Sequence, residues 1–196
     1  MKILIDNGHG VDTAGKRSPD GSLREYSYTR EIARRIVQAL TAEGFDAERI
    51  VTEEEDISLK ERCRRVNAVC RSLGSKNFLL VSVHNNAAAS GGQWLTARGF
   101  SAHVSLNASD RSKRLAKCLW QAALDNGLRG NRSVPAEMYL TQNLAMCRDT
   151  LCAAVLTENL FQDNREDVAF LLSEEGKQAV TAAHVQGIKT FIKQNQ

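Results

Sequence analysis

Two histidines and two glutamates stand where hydrolytic chemistry would need them. His9 follows the apolar run Met1-Lys2-Ile3-Leu4-Ile5, inside Asp6-Asn7-Gly8-His9-Gly10. His84 follows Asn77-Phe78-Leu79-Leu80-Val81-Ser82-Val83, and Glu158 follows Ala153-Ala154-Val155-Leu156-Thr157. Glu25 stands at the start of a helical pattern. Short apolar runs of this kind read as buried strands, and the C-terminal ends of strands are where open α/β sheets form their sites. Two neutral imidazoles and one carboxylate make a common catalytic zinc shell, with one position left for water. Such a centre lowers the pKa of that water toward neutrality and polarises a carbonyl. A second carboxylate, outside the shell, can take the water's proton and hand it to a leaving nitrogen. These four residues are the minimum parts for hydrolysing an amide. Their spacing alone is a weak signal, unlike a His-Glu-x-x-His helix face. A single histidine after a strand is more often a packing residue. The matched pair, each after a buried strand and in a small polar loop, carries the reading.

The elements that must position them alternate along the chain. Residues 11–24 are a polar excursion with a turn signal at Pro19-Asp20-Gly21. The spacing of Ile32, Ile36, Ala39 and Leu40 predicts a helix over 25–43, ended by Gly44. A strand is expected at 45–52. Ser58 with Glu61 has capping-box spacing ahead of a helix over 59–72. The run 77–83 reads as a central strand buried on both faces. A strand at 99–105, a helix at 109–126, a short strand around Met138-Tyr139-Leu140 and a strand at 153–157 follow. Helices over 164–172 and 173–193 close the chain. The expected fold is therefore α/β, a three-layer helix–sheet–helix sandwich with a central, mostly parallel twisted sheet, forming one catalytic domain over 1–196.

Composition sets bounds. With 196 residues, 42% hydrophobic and 2 prolines, the chain can bury one sizeable core, and no linker divides it. A net charge of +3 is too mild for a nucleic-acid partner. No stretch has membrane-spanning length, and the N-terminus has no signal-peptide pattern. Cys63, Cys70, Cys118, Cys147 and Cys152 are scattered without a CxxC pair and read as reduced, small hydrophobic residues.

Taken together, these segments resemble the zinc-dependent N-acetylmuramoyl-L-alanine amidases, the type 3 cell-wall amidase family. The family's Asp-Pro-Gly-His-Gly-Gly is similar to Asp6-Asn7-Gly8-His9-Gly10-Val11. Its glutamate before an amphipathic helix matches Leu23-Arg24-Glu25, and its Leu-x-x-Arg segment followed by Asn matches Leu59-Lys60-Glu61-Arg62 with Asn67. Its Ser-x-His-x-Asn-Ala motif is complete as Ser82-Val83-His84-Asn85-Asn86-Ala87. Its Glu-x-Gly-Phe corresponds to Glu158-Asn159-Leu160-Phe161, followed by Asn164. The resemblance implies a sheet like that of zinc exopeptidases and phosphorylase/hydrolase-like proteins. It implies Zn2+ held by His9, Glu25 and His84, with Glu158 as the general base and acid. The implied partner is peptidoglycan, cut between N-acetylmuramic acid and L-alanine of the stem peptide. Asn7, Val11 and Leu160 depart from the family pattern without removing a ligand or the base.

Two other functions compete with this one: a zinc peptidase acting on free peptides, and a non-catalytic wall-binding module. Retention of Glu158 argues against the second. The chain is read as a monomer that acts on the cell wall, either as a trimmed mature domain or as a phage-type lysin. Glu31 competes with Glu25 as ligand but reads as a solvated helix charge. His103 and His184 read as surface or hydrogen-bonded residues. Ser82, Asn86 and Asn67 are candidates to support His84. Arg98, Arg129, Arg132 and Arg148 are candidates for stem-peptide carboxylates, and Trp94 for stacking, whereas Trp120 reads as core.

Overall fold

The computed structural model describes residues 1–89 and 92–194. Its six-stranded sheet has the order β2-β1-β3-β6-β4-β5. The strands are β1 (Lys2–Asn7), β2 (Ala47–Arg49), β3 (Phe78–Asn86), β4 (Ser101–Val104), β5 (Leu140–Thr141) and β6 (Ala153–Phe161). Only the β4–β6 junction is antiparallel; the other four pairings are parallel. The central strands are apolar on both sides because helices cover both faces. Ile3, Ile5, Leu79, Val81, Val83 and Val155 join the larger core cluster. Leu4, Leu80 and Ala154 join a smaller one with Cys63, Val66, Cys70 and Met146.

Helices α1 (Glu25–Ala42), α3 (Asp110–Asp125) and α6 (Glu174–Lys193) pack on the larger cluster. Helices α2 (Leu59–Leu73) and α4 (Ala145–Arg148) pack on the smaller. The stripe Ile32, Ile36, Leu40 of α1 is fully buried, as its spacing requires. Side-chain caps start four helices. Ser58 accepts from Glu61 N, Ser109 from Ser112 N and Ser173 from Gly176 N, while Asn164 accepts from Glu166 N and Asp167 N to start α5 (Arg165–Leu172). All five cysteines are buried and unpaired. Among the described residues no helix is long and apolar enough to cross a membrane.

Strand β4 is shorter than the expected 99–105, β5 falls at Leu140–Thr141 rather than around 138–140, and α4 has no counterpart in the sequence reading; the differences that bear on the site are larger. The strand expected at 45–52 shrinks to β2, an edge strand whose register with β1 ends at Ile5 opposite Arg49. Strands β3 and β6 run longer than 77–83 and 153–157, so His84 and Glu158 lie within the ladder, directly opposite one another. The excursion at 11–24 folds back on itself. Ser18 N donates to Leu23 O (2.9 Å), Leu23 N to Ser18 Oγ (3.0 Å) and Glu25 N to Lys16 O (3.0 Å).

Candidate functional site

Three elements bring three metal-type donors together. His9 lies just past β1, Glu25 is the first residue of α1, and His84 sits near the end of β3. Because β1 and β3 are neighbours, with Asn7 opposite Val83, the loop carrying His9 begins beside His84. The Glu25 carboxylate is 1% exposed, with Oε1 3.1 Å from His84 Nδ1 and Oε2 3.5 Å from His9 Nε2. The imidazoles stand edge to face with ring centroids 5.0 Å apart. One donor atom from each residue lies within 4.8 Å of the others. Glu25 Oε2 is buried without a hydrogen-bond partner among the described residues. An orphaned charged acceptor is costly unless a cation completes it. Two imidazoles and one carboxylate converging in this way fit the three-ligand shell of catalytic zinc.

The electrostatics of the three donors differ. Burial drives the His9 imidazole down to about 4, against the pull of Glu25, so at neutral pH it is the uncharged form that binds metals. Burial works against the charge of His84 too, but the hydrogen bond and charge of Glu25 outweigh it and raise His84. Burial would raise Glu25, but His84 and His9 hold it below the usual carboxylate range.

The glycines around His9 serve their neighbours. A Cβ on Gly8 would sit 2.3 Å from Cε1 of His84, and one on Gly10 2.0 Å from the backbone N of Asp56. Gly8 therefore lets the second histidine approach, and Gly10 lets the loop before α2 close against the first. His9 itself adopts φ +63°, an uncommon left-handed conformation for a non-glycine residue. Two buried arginines hold it there. Arg62 donates to Asp6 Oδ1 (2.7 Å), Asn7 O (2.6 Å) and His9 O (3.2 Å). Arg30 donates to His9 O (2.9 Å) and Glu53 O. Thr29 Oγ1 donates to Gly8 O (3.0 Å).

Glu158 lies beside this centre on β6, paired in the sheet with His84 of β3 on one side and Ser101 of β4 on the other. Its Oε2 is buried with no hydrogen-bond partner among the described residues. Burial raises its pKa to about 7, with His84 opposing and Glu25 adding to the rise. The strands are clamped here. Asn159 Nδ2 donates to His84 O (2.9 Å), Asn85 Nδ2 to Asn159 O (2.6 Å) and Asn85 N to Glu25 Oε1 (2.9 Å). The register then shifts between His84 and Asn86, which faces Phe161. Leu160 takes φ +63° in that irregularity, so the conformation that suits glycine persists although the residue is leucine.

The structure sorts the remaining candidates. Ser82 supports the site at one remove, donating to Asp6 Oδ2 (2.5 Å). Asn67 lies elsewhere, bonded to Asp149 O and Leu151 N, and Asn86 accepts from its neighbour Ala87 N. Glu31 is paired with Arg35 and Lys177. Arg98 is committed to Glu166 and Asp167, and Arg148 to Asp149 and Asn143. The guanidinium of Arg165 covers the Trp94 ring at 4.5 Å, and Trp120 packs against Phe100. His103 and His184 are buried, so the surface alternative is corrected. His103 Nε2 meets Ser101 Oγ, and His184 bonds Thr157 and Val180. The sequence singled out Arg62 within the Leu-x-x-Arg segment without assigning it a role, and gave none to Arg30, Asn85 or Asn159. A signal existed for Arg62, which sits four residues before buried Val66 and so in phase with an apolar stripe.

Fold and donor set define an α/β protein with a candidate mononuclear metal centre at the ends of adjacent parallel strands. The chain belongs to the N-acetylmuramoyl-L-alanine amidase family, whose model it matches over residues 3–190. It is 27% identical over 192 residues to the endolysin of Bacillus phage SPP1, covering 97% of this chain and 65% of that protein. It is 27% identical to the probable cell wall amidase LytH of Staphylococcus epidermidis, covering 96% of this chain and 57% of that one. The chain thus spans between half and two thirds of these relatives. The fold is that of the N-acetylmuramoyl-L-alanine amidase from Clostridium difficile 630, with a TM-score of 0.84 at 24% identity, covering 100% and 98% of the two chains.

Proposed function

We propose that the chain is a zinc-dependent hydrolase of peptidoglycan that cuts the amide between the lactyl group of N-acetylmuramic acid and L-alanine of the stem peptide. The observation that carries the reading is the convergence of His9, Glu25 and His84, with an orphaned buried carboxylate oxygen, beside Glu158, which also keeps one buried, unpartnered oxygen. His9, Glu25 and His84 would hold the ion. When bound, zinc supplies Lewis-acid polarisation of a carbonyl and lowers the pKa of water toward neutrality.

The chain's own residues do the rest. Glu158 is the proton carrier. Its value of about 7 lets one carboxyl accept a proton from the attacking water and return it to the departing amine. A divalent cation nearby favours the ionised form, the one able to accept. Arg30 and Arg62 fix the backbone of His9, and the Asn85–Asn159 clamp keeps His84 and Glu158 in register. A non-catalytic wall-binding module would have no use for a half-buried, unpaired carboxylate at this position. Membership of the amidase family favours the wall amide over the bonds of free peptides.

Mass spectrometry of digested sacculi tests the reading. The expected products are intact muramic acid and stem peptides with a free L-alanine amino group, released by protein holding about one zinc per chain. Cleavage within the peptide, or in the glycan, would overturn it.

A further inference from the structure

A second polar recess lies beyond the candidate centre. Strands β3 and β6 carry His84 and Glu158, and the segments just past their ends form one wall of a cavity of about 200 Å3. Ala87, Ala89, Gln162 and Asp163 line this side, and Arg17 and Ser18 of the folded-back 11–24 segment line the other. The acceptors on the strand side are fixed in place. Gln162 N donates to Asn86 O (2.8 Å), and Asp163 O accepts from Leu95 N (2.7 Å). Asp163 Oδ2 accepts from Ala88 N (2.8 Å) and Ala89 N (3.2 Å). Asp163 Oδ1 and Gln162 Oε1 are buried with no hydrogen-bond partner among the described residues, and both residues are 3% exposed. Across the cavity the Ser18 hydroxyl is already engaged by Asp20 and Leu23. Arg17 is exposed and has no acidic partner among the described residues.

We propose that this cavity is a subsite for a zwitterionic amino-acid head group, its ammonium received by Asp163 Oδ1 and Gln162 Oε1 and its carboxylate by Arg17. Orphaned buried acceptors call for a donor, and a charged one rewards a carboxylate most. A lone ammonium would leave Arg17 unmatched, and a lone carboxylate would be repelled by Asp163; a group bearing both satisfies both walls. A volume of about 200 Å3 is below that of a site for a whole drug-sized ligand and suits the end of one residue. The ligand's identity rests on the amidase reading: it is the far end of a diamino dicarboxylic residue in the stem peptide, beyond the L-alanine at the cut.

Calorimetry on the full chain tests this without turnover. The probes are a tripeptide that begins with L-alanine and ends in 2,6-diaminopimelate, the same peptide acetylated on the distal ammonium, and the same peptide amidated on the distal carboxylate. The parent peptide is expected to bind at least about tenfold tighter than either blocked form, the scale of one charge-assisted contact. Asp163→Asn should erase the preference for the free ammonium and keep that for the carboxylate; Arg17→Gln should do the reverse. Arg17 is exposed, so that variant serves even where Asp163→Asn disturbs the 87–89 turn. Equal binding of all three peptides by the wild type, or an equal loss on all three in the Arg17 variant, overturns the subsite. Hydrolysis of a muramyl form of the parent peptide is measured separately. Selective binding with no hydrolysis would refute the amidase reading and leave the subsite standing.

Discussion

At the residue scale the site depends on groups that are costly to bury. Glu25 is fully buried and Glu158 half-buried, and each keeps one buried oxygen without a hydrogen-bond partner among the described residues. If Glu158 moves the proton and binds no metal, Glu158→Gln should retain zinc by metal analysis and lower kcat by about 10²–10⁴-fold, the range for a lost general acid–base. Unchanged kcat would refute that role. Leu160 shows two opposing effects. Its left-handed backbone costs about 1–2 kcal/mol relative to glycine, but its side chain is 3% exposed and belongs to the larger core. Removing a buried leucine side chain costs about 2–5 kcal/mol, so Leu160→Gly should be destabilised by about 2 kcal/mol in urea melts despite the relief of strain. A more stable glycine variant would show that the strain outweighs the packing. The sequence alone marked Leu160 as a departure from the family pattern, because the residue type is visible there. The sign of its effect was not legible, because burial at that point is set by helices distant in sequence.

At the scale of elements, the candidate metal centre is a joint between β1, β3 and α1, and Arg62 of α2 tightens it from the other face. Arg62 is 2% exposed and satisfies Asp6, the carbonyls of Asn7, His9 and Ile57, and Asp56. Truncating one partner of a buried ion pair strands the other, at a cost of about 3–5 kcal/mol. Arg62→Met should therefore lower stability by that amount and weaken zinc affinity by about 10–100-fold, the usual effect of losing support behind a ligand. Thermal melts and zinc titration check the two parts, and retained affinity would mean that Arg30 alone positions His9. The caps at Ser58 and Ser109 and the stripe of α1 were legible because each depends on residues three or four apart. The extension of β3 and β6 past His84 and Glu158 was not. It rests on side-chain amides reaching across from Asn85 and Asn159, residues 74 apart in sequence.

At the scale of the whole molecule, two histidines away from the centre tie stability to pH. Burial lowers His184 and His103 to about 4 from an ordinary 6.5. The unfolded chain then binds protons that the folded one does not, so their contribution is complete above about pH 7 and is lost as pH falls from 6.5 toward 4. Between pH 7 and pH 5 each should remove about 2 kcal/mol, and His184→Gln should flatten the urea-midpoint profile over that window. A profile as steep as that of the wild type would exclude His184 as its source. By itself the sequence determined the alternation of strands and helices, the two-faced burial of the central strands and the four residues with the right chemistry, because periodicity and residue type are local properties. Tertiary structure alone decided that His9, Glu25 and His84 meet within 4.8 Å, that Gly8 makes room for the His84 ring and that Arg98 is committed elsewhere while Arg17 has no acidic partner among the described residues. Those outcomes depend on which strands become neighbours and how closely helices press on them, and that is settled only when the whole core packs at once.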